Sequence, residues 1–257
     1  MKTVILTQES IHKGNLILVN TWYPYQDNII ESSLVPVNDE NSNVSLDRHV
    51  VTLLSKIMDE LNGWKKITPI SGWRSRQEQQ EIYTKSLQDS GRTFTEKFVA
   101  RPGCSEHQTG FAIDLALKQK TIDFICPDFP YMGICQSFRQ KSISFGFIER
   151  YPQDKESITG IGHEPWHFRY VGTPHAEIMK SQGFVLEEYI NFLKQYRYGE
   201  NSHFYNKAHM SLVISYLKAS KTTDTRFEID SSVPYSISGN NIDGFIITEW
   251  KEQNERH

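Results

Sequence analysis

Hydrophobic and polar residues follow two different spacings along most of the chain, one helical and one extended. Between Ser45 and Gly63, apolar residues recur three or four positions apart, which predicts a helix capped by Ser45 and ended by Gly63. The short run NLILVN, residues 15–20, is apolar between polar ends and predicts a buried strand or extended segment.

The same two spacings predict further elements in mixed order. We expect strands at 67–71, 110–117, 145–149 and 166–171, and helices at 76–87, 133–144, 174–183 and 186–195. Because these strands and helices do not alternate regularly, the sequence predicts an α+β fold. Its centre would be an antiparallel or mixed sheet flanked by helices.

The pattern changes near residue 196, which predicts a division of the chain there. Residues 1–196 are expected to form the α+β domain, and residues 197–257 a small β-rich C-terminal extension. In the extension, a polar and aromatic linker at 201–210 precedes short apolar runs at 212–217, 226–229, 235–237 and 244–250. Turn residues separate these runs, as expected for short strands.

Composition and charge remove several classes of partner. The 257 residues carry a net charge of -3 and no basic cluster, so no nucleic-acid partner is expected. No run approaches the ~20 apolar residues of a membrane-spanning helix, and the N-terminus lacks a signal-peptide core. The three cysteines are odd in number and form no CxxC pair, which fits a reducing compartment. We therefore expect no membrane span and a cytoplasmic location.

Two short motifs carry the candidate chemistry: SEHQTGFAID at 105–114 and EPWH at 164–167. His107, Asp114 and His167 offer two imidazoles and a carboxylate, a ligand set of catalytic zinc sites that leaves a fourth position for water. Gly110 would let the chain turn between His107 and the strand that carries Asp114. Glu164, a carboxylate close to such a metal without binding it, would suit the proton acceptor of a hydrolytic water.

Both motifs, with SGWRS at 71–75 followed by Gln79 and Tyr83, resemble the signature of the zinc D-Ala-D-Ala peptidases. The likeness to this VanY/VanX-like family covers about residues 15–195 of the chain. Trp73 stands where the family more often has tyrosine. With no signal peptide or membrane anchor expected, the chain most resembles the bifunctional VanXY-type D,D-dipeptidase/D,D-carboxypeptidases, which act inside the cell. The resemblance implies one zinc ion per chain held by His107, Asp114 and His167, with Glu164 as the general base.

The resemblance also implies roles for three further residues and a class of substrate. Arg74 would hold the scissile carbonyl and stabilise the negative charge that grows on its oxygen. Ser105 and Gln79 would lie near the terminal carboxylate of the substrate. The partners implied are the D-Ala-D-Ala dipeptide and peptidoglycan precursor peptides, as in vancomycin resistance.

Other functions remain open at the level of sequence. The nearest enzymatic alternatives are a strict D,D-dipeptidase and an L,D-carboxypeptidase or endopeptidase of cell-wall peptides. A non-catalytic, zinc-containing module that binds muropeptides is a third, although a pure binder has no need of both Glu164 and Arg74. An interaction protein built around the C-terminal extension is a fourth.

Overall fold

The computed structural model describes residues 1–26, 33–207 and 210–252. The strands are β1 Lys2–Leu6, β2 Leu34–Pro36, β3 Ser45–Asp47, β4 Ile67–Ser71, β5 Ala112–Leu117, β6 Phe147–Tyr151, β7 Glu164–Tyr170, β8 His203–Lys207, β9 Met210–Lys218, β10 Thr225–Ile229, β11 Tyr235–Gly239 and β12 Gly244–Glu252. The helices are α1 Arg48–Glu60, α2 Arg76–Phe98, α3 Gly133–Ile143, α4 Glu156–Thr159, α5 His175–Gln182 and α6 Leu186–Leu193. No helix in the described ranges combines the length and the apolar character needed to cross a membrane.

The chain divides into two compact units with bounds that differ from the predicted ones. One unit is Val19–Val185, and the other combines Met1–Leu18 with Leu186–His257. The predicted boundary after residue 196 falls inside the second unit, whose C-terminal part begins at Leu186. The N-terminal residues belong to the same unit, where β1 pairs with β10. The division into 1–196 and 197–257 stays a prediction, and residues 208–209 and 253–257 of the expected extension lie outside the described ranges.

The unit Val19–Val185 is built on a four-stranded antiparallel sheet in the order β4-β5-β7-β6, which confirms the predicted fold class. Side chains alternate between the two faces of a strand, so each strand of this sheet serves two surfaces. On one face, Ile113 of β5 and Phe168 of β7 join a buried core with Leu54 of α1 and Phe138 of α3. The opposite face carries polar residues, and the candidate site lies there.

Helix α1 begins later than its apolar spacing predicted. Ser45 lies in strand β3, which pairs with β2, so the predicted cap is wrong. Asp47 caps the helix, since its carboxylate accepts a 2.9 Å hydrogen bond from the main-chain N–H of His49. An aspartate is as good a cap as a serine, and sequence alone did not separate them.

Helix α2 has the start that the sequence predicted but runs further. Ser75 and Glu78 form a reciprocal capping box at its N-terminus. Gly91 adopts a φ of 79°, which interrupts the helical backbone, and helical structure then resumes as far as Phe98. The predicted helix, 76–87, therefore covers only the part of α2 that precedes this break.

The apolar run NLILVN is buried, as predicted, but no described residue of it forms a strand. Leu16 and Leu18 are 1% and 2% exposed. Their main-chain N–H groups donate to the Ser238 hydroxyl at 2.9 Å and to the Asn240 carbonyl at 3.2 Å. Because one acceptor is the side chain of Ser238 in β11 and the other is the carbonyl of Asn240 just after that strand, the backbone is satisfied without a β-ladder.

The second unit contains the predicted C-terminal strands and two that were missed. Strands β11-β12-β9-β8 form one antiparallel sheet, and β1-β10 form another. Strand β8 occupies the segment predicted to be a linker, where it pairs with β9. The polar residues of β8 favoured the prediction of a linker. They are compatible with a strand because β8 lies at the edge of its sheet, where most side chains can be exposed.

Candidate metal centre and active site

His107, Asp114 and His167 converge on the polar face of the sheet, as the sequence predicted. Asp114 of β5 and His167 of β7 are direct partners across the antiparallel ladder. His107 lies on a short 3-10 turn before β5, and Gly110 ends that turn with a φ of 72°. One ligand atom from each of the three side chains lies within 4.8 Å of the others.

The two histidines turn different nitrogens toward the shared carboxylate. Nε2 of His107 lies 3.1 Å from Oδ2 of Asp114, and Nδ1 of His167 lies 2.9 Å from Oδ1. The remaining nitrogen of His107, Nδ1, lies 2.6 Å from the main-chain oxygen of Gly72. Hydrogen bonds of this kind orient metal-binding imidazoles. The cluster is therefore arranged to present Nε2 of His107 and Nδ1 of His167.

Glu164 and Arg74 border this cluster. Oε2 of Glu164 lies 3.8 Å from Nδ1 of His167. Nη2 of Arg74 lies 3.3 Å from Oδ2 of Asp114, and Nη1 donates to Oε1 of Gln79 at 3.1 Å. Within the described ranges, the buried Nε of Arg74 has no hydrogen-bond partner. A guanidinium donor is thus left over beside the cluster.

The segment that carries Glu164 is braced from outside the site. Nη2 of Arg139 donates to the main-chain oxygen of Pro165 at 2.9 Å, and the same nitrogen donates to the oxygen of Phe129 at 3.1 Å. At the start of β7, Glu164 itself pairs with Tyr151 of β6. The backbone on both sides of the Glu164 carboxylate is therefore fixed.

All seven residues singled out from the sequence line one cavity. Its apolar wall is formed by Ile82, Phe98, Phe124, Ile125, Ile161 and Trp166. Gln79 is buried, with Oε1 bonded to Arg74 and Nε2 donating to the Ala100 oxygen at 2.7 Å. The contacts of Gln79 thus support Arg74, and its predicted role at the substrate carboxylate, like that of Ser105, stays a prediction.

Burial and charge shift the acidities of the cluster in opposite directions. Burial and the Arg74 cation lower the pKa of His107 to about 4. Burial opposes protonation of His167, but the hydrogen bond to Asp114 and the nearby Glu106 carboxylate outweigh this effect and raise the pKa of His167 to about 9. Burial also works against ionisation of Asp114, yet the two histidines hold the pKa of that carboxyl well below its usual range.

The pKa of Glu164 moves the other way from that of Asp114. Burial, with the nearby Asp114 charge, raises it to about 8, while His167 and Arg74 act in the opposite sense. Two carboxyl groups in one cavity therefore differ in acidity by environment alone. Such a pair suits one permanently ionised ligand and one group that exchanges a proton.

Three buried charged residues lie behind the cluster, and none of them was assigned a role in the site from the sequence. Glu106 is 1% exposed, and Arg150 of β6 and Arg169 of β7 are 0% exposed. Oε1 of Glu106 lies 2.9 Å from Nε of Arg150 and 3.1 Å from Nη1 of Arg169. The available signal was Arg169, which stands between Phe168 and Tyr170 in a predicted strand, since a buried charge requires a partner.

Comparison with known proteins places these features in a family. The profile of the VanY family, described as D-alanyl-D-alanine carboxypeptidase, matches residues 43–173. This range contains His107, Asp114 and His167 together with Glu164. This chain belongs to the VanY family. The family match agrees with the resemblance on which the site roles were predicted.

Individual VanY-type proteins are similar over longer stretches. The bifunctional D-Ala-D-Ala dipeptidase and D-Ala-D-Ala carboxypeptidase VanXYC of Enterococcus gallinarum is 41% identical over 183 residues, which cover 71% of this chain and 96% of that protein. The crystal structure of the vancomycin resistance D,D-dipeptidase VanXYg, in complex with a D-Ala-D-Ala phosphinate analog, has a TM-score of 0.94 at 49% identity. That match covers 97% of this chain and 99% of VanXYg.

A second solved relative bears on the metal. A mutant of the D,D-pentapeptidase VanY from a VanB-type resistance cassette was solved in complex with Zn(II). It is 32% identical, covers 69% of this chain and 99% of its own, and has a TM-score of 0.58. With the His107, Asp114 and His167 cluster of this chain, that complex supports zinc as the metal of the family site.

Proposed function

We propose that this chain is a zinc-dependent D,D-peptidase. It would hydrolyse the D-Ala-D-Ala dipeptide, remove C-terminal D-Ala from peptidoglycan precursor pentapeptides, or do both, as in vancomycin resistance. One observation carries the proposal. The donor atoms of His107, Asp114 and His167 lie within 4.8 Å of one another, beside the carboxylate of Glu164 and Nε of Arg74, for which no described residue is a hydrogen-bond partner.

The three donors suit a single zinc ion per chain. Two imidazoles and a carboxylate form a common catalytic zinc ligand set, and three protein ligands leave a position open for chemistry. All three side chains are buried, so the ligand atoms are held without competition from bulk water. When bound there, zinc would polarise the scissile carbonyl and lower the pKa of the attacking water.

Glu164 would act as the proton carrier. Its Oε2 would accept a proton from the attacking water and then deliver that proton to the amine nitrogen of the departing D-Ala. Its carboxyl group is buried and lies 3.8 Å from Nδ1 of His167, beside the metal position, as a proton carrier for a water bound there requires. Glu164 is not one of the three residues whose donor atoms cluster, as expected for a base that does not bind the metal.

Arg74 would stabilise the charge that develops on the carbonyl oxygen. Contacts of Nη1 and Nη2 with Gln79 and Asp114 fix the guanidinium, which leaves Nε–H as a preorganised donor. A donor fixed in advance at the developing oxyanion contributes more than one that must be reoriented during the reaction. Gln79 would support this group, and Ser105 would line the substrate side of the cavity.

The D,D preference is proposed from the relatives, since the metal chemistry does not choose a stereoisomer. VanXYC is described as bifunctional on D-Ala-D-Ala substrates, and VanXYg was solved with a D-Ala-D-Ala phosphinate analog. The cavity wall that contains Phe124, Ile125 and Trp166 offers apolar contacts for the methyl groups of such a substrate.

Release of D-Ala by the purified chain tests the proposal. We expect release from D-Ala-D-Ala and from a pentapeptide ending in it, loss on chelation, and recovery with one equivalent of zinc. Cleavage of the dipeptide alone would indicate a strict dipeptidase. Cleavage of a tetrapeptide alone would indicate an L,D-carboxypeptidase, and binding without release would indicate a muropeptide-binding module.

A cytoplasmic site of action is also proposed. Cys104, Cys126 and Cys135 form no disulfide, which fits a reducing compartment. Fractionation of cells that express the chain, followed by detection of the protein in each fraction, is the direct measurement.

A further inference from the structure

His167 has a second nitrogen that does not face the cluster. Its Nε2 lies 3.6 Å from Oε2 of Glu106. Both atoms are buried, and within the described ranges neither has a hydrogen-bond partner. An unpaired donor or acceptor in a protein interior carries a full desolvation penalty. The two atoms complement each other, and a small approach would satisfy both.

Glu106 is held so that this oxygen faces His167. Both Arg150 and Arg169 contact the other carboxylate oxygen, Oε1, at 2.9 and 3.1 Å. Charge-assisted contacts from two buried guanidinium groups fix the plane of the carboxylate. Glu106 also directly precedes His107 on the same turn. That turn therefore carries both His107 and the carboxylate that faces His167.

We propose that Glu106 is a positioning residue for His167. It accepts a hydrogen bond from Nε2–H and thereby keeps the lone pair of Nδ1 directed at the metal position. A carboxylate behind a ligating imidazole fixes both its tautomer and its ring orientation. The inference rests on the proposed function, because it takes His107, Asp114 and His167 to be zinc ligands.

At His107 the two ring nitrogens have the opposite roles to those at His167. There, Nδ1 is bonded to the Gly72 carbonyl and Nε2 faces Asp114. At His167, Nε2 faces Glu106 and Nδ1 faces Asp114. Each ring would thus be held by an acceptor on one nitrogen and offer the other nitrogen to the metal.

Two variants of Glu106 separate positioning from simple neutralisation of the arginines. In Glu106→Gln, the amide oxygen would face Arg150 and Arg169, so the NH2 group would face Nε2 and favour the tautomer with a protonated Nδ1. Glu106→Asp keeps the charge but withdraws the oxygen from His167. The matched control is Glu60→Gln, the same change on a half-exposed carboxylate at the end of α1.

Zinc affinity, measured by chelator competition, is the first readout. We expect both Glu106 variants to bind zinc about 10- to 100-fold more weakly, and Glu60→Gln to match the unaltered chain. A structural role alone would instead leave Glu106→Asp at normal affinity. A folded Glu106→Gln variant within twofold of the unaltered chain would overturn the proposal.

NMR of 15N-histidine in the zinc-loaded, unaltered chain gives a readout that does not depend on any variant folding. We expect His167 to show a protonated Nε2 and a metal-shifted Nδ1. The reverse assignment would overturn the proposal even if Glu106→Gln failed to fold. If the unaltered chain bound no zinc, the proposed function itself would fail, a result distinct from either outcome at Glu106.

Discussion

The main-chain oxygen of Gly72 lies 2.6 Å from Nδ1 of His107. The hydrogen bond sets which nitrogen of His107 faces Asp114. The path of the backbone after β4 therefore affects the geometry of the His107, Asp114 and His167 cluster. That path passes very close to β3. A Cβ atom added at Gly72 would lie 2.3 Å from the main-chain oxygen of Ser45.

Gly72→Ala is therefore expected to displace the carbonyl that orients His107. Backbone oxygen cannot swing aside as a side chain can, so we expect a loss of about 1–3 kcal/mol in the free energy of unfolding. We expect zinc affinity to fall about tenfold, because an outer partner of a ligand is lost. Chelator competition and urea unfolding measure the two effects. Gly63→Ala is the control, since its Cβ would approach Met58 no closer than 3.0 Å, at the flexible sulfur, and its zinc affinity should not change.

Glu164→Gln tests the proton carrier without changing the shape of the side chain. We expect turnover of D-Ala-D-Ala to fall about 10²- to 10⁴-fold, because a general base is removed. Zinc affinity should stay within a fewfold of normal, because the group is not a ligand. Steady-state kinetics and metal analysis of the same preparation decide the matter, and near-normal turnover would rule out the role.

Arg74→Lys tests the need for a forked cation. A lysine ammonium cannot contact Gln79 and Asp114 and also present a further fixed N–H. We expect kcat to fall about 10²- to 10³-fold, as when an oxyanion donor is removed. The control is Arg92→Lys in helix α2. Arg92 is exposed and pairs with Glu96. Equal kcat values for the two variants would contradict the assignment.

His175 of α5 predicts how stability changes in mild acid. Burial lowers the pKa of His175 to about 3, whereas an unfolded histidine titrates near pH 6.5, at about its model value. Between these values the unfolded chain binds the extra proton, so the free energy of unfolding falls as the pH falls below 6.5. Relative to His175→Gln, the metal-free parent chain should lose about 1.5 kcal/mol more between pH 6.5 and 5. Urea unfolding at several pH values gives both slopes, and parallel slopes would contradict the burial of a neutral ring.

Strand β1 predicts an asymmetry between neighbouring residues. Val4 packs against the buried Phe227 and Ile229, whereas Ile5 is 50% exposed on the other side of the strand. We expect Val4→Asp to lower the free energy of unfolding by about 1–3 kcal/mol, since a charge would enter an apolar cluster. The matched Ile5→Asp should stay within about 0.5 kcal/mol. Equal losses in urea unfolding would show that β1 does not contribute to the core.

The sequence was most informative where the chemistry needs particular residue types. Two imidazoles, two carboxylates and an arginine leave a recognisable pattern of letters, and the strands that carry Asp114 and His167 are apolar on both sides of them. The antiparallel pairing of β5 with β7 was not readable from either motif. It depends on which strands are adjacent, and adjacency is set by packing across the whole unit.

The misses have separate physical causes. The capping Asp47 was passed over because Ser45 satisfies the same preference two residues earlier. Strand β8 was missed because its alternating pattern is weak on an edge. Glu106 was overlooked because a charged residue beside a ligand usually faces solvent, and only the structure reveals Arg150 and Arg169 behind it.

The pairing of β1 with β10 has a consequence for the order in which the chain can fold. Thr3 meets Glu228, 225 residues further along. At about 5–20 residues per second on the ribosome, β1 must wait tens of seconds for its partner. All of Val19–Val185 is translated in that interval, so the segment that carries the proposed metal ligands can acquire its native contacts during synthesis, before the N-terminal strand has a ladder to join.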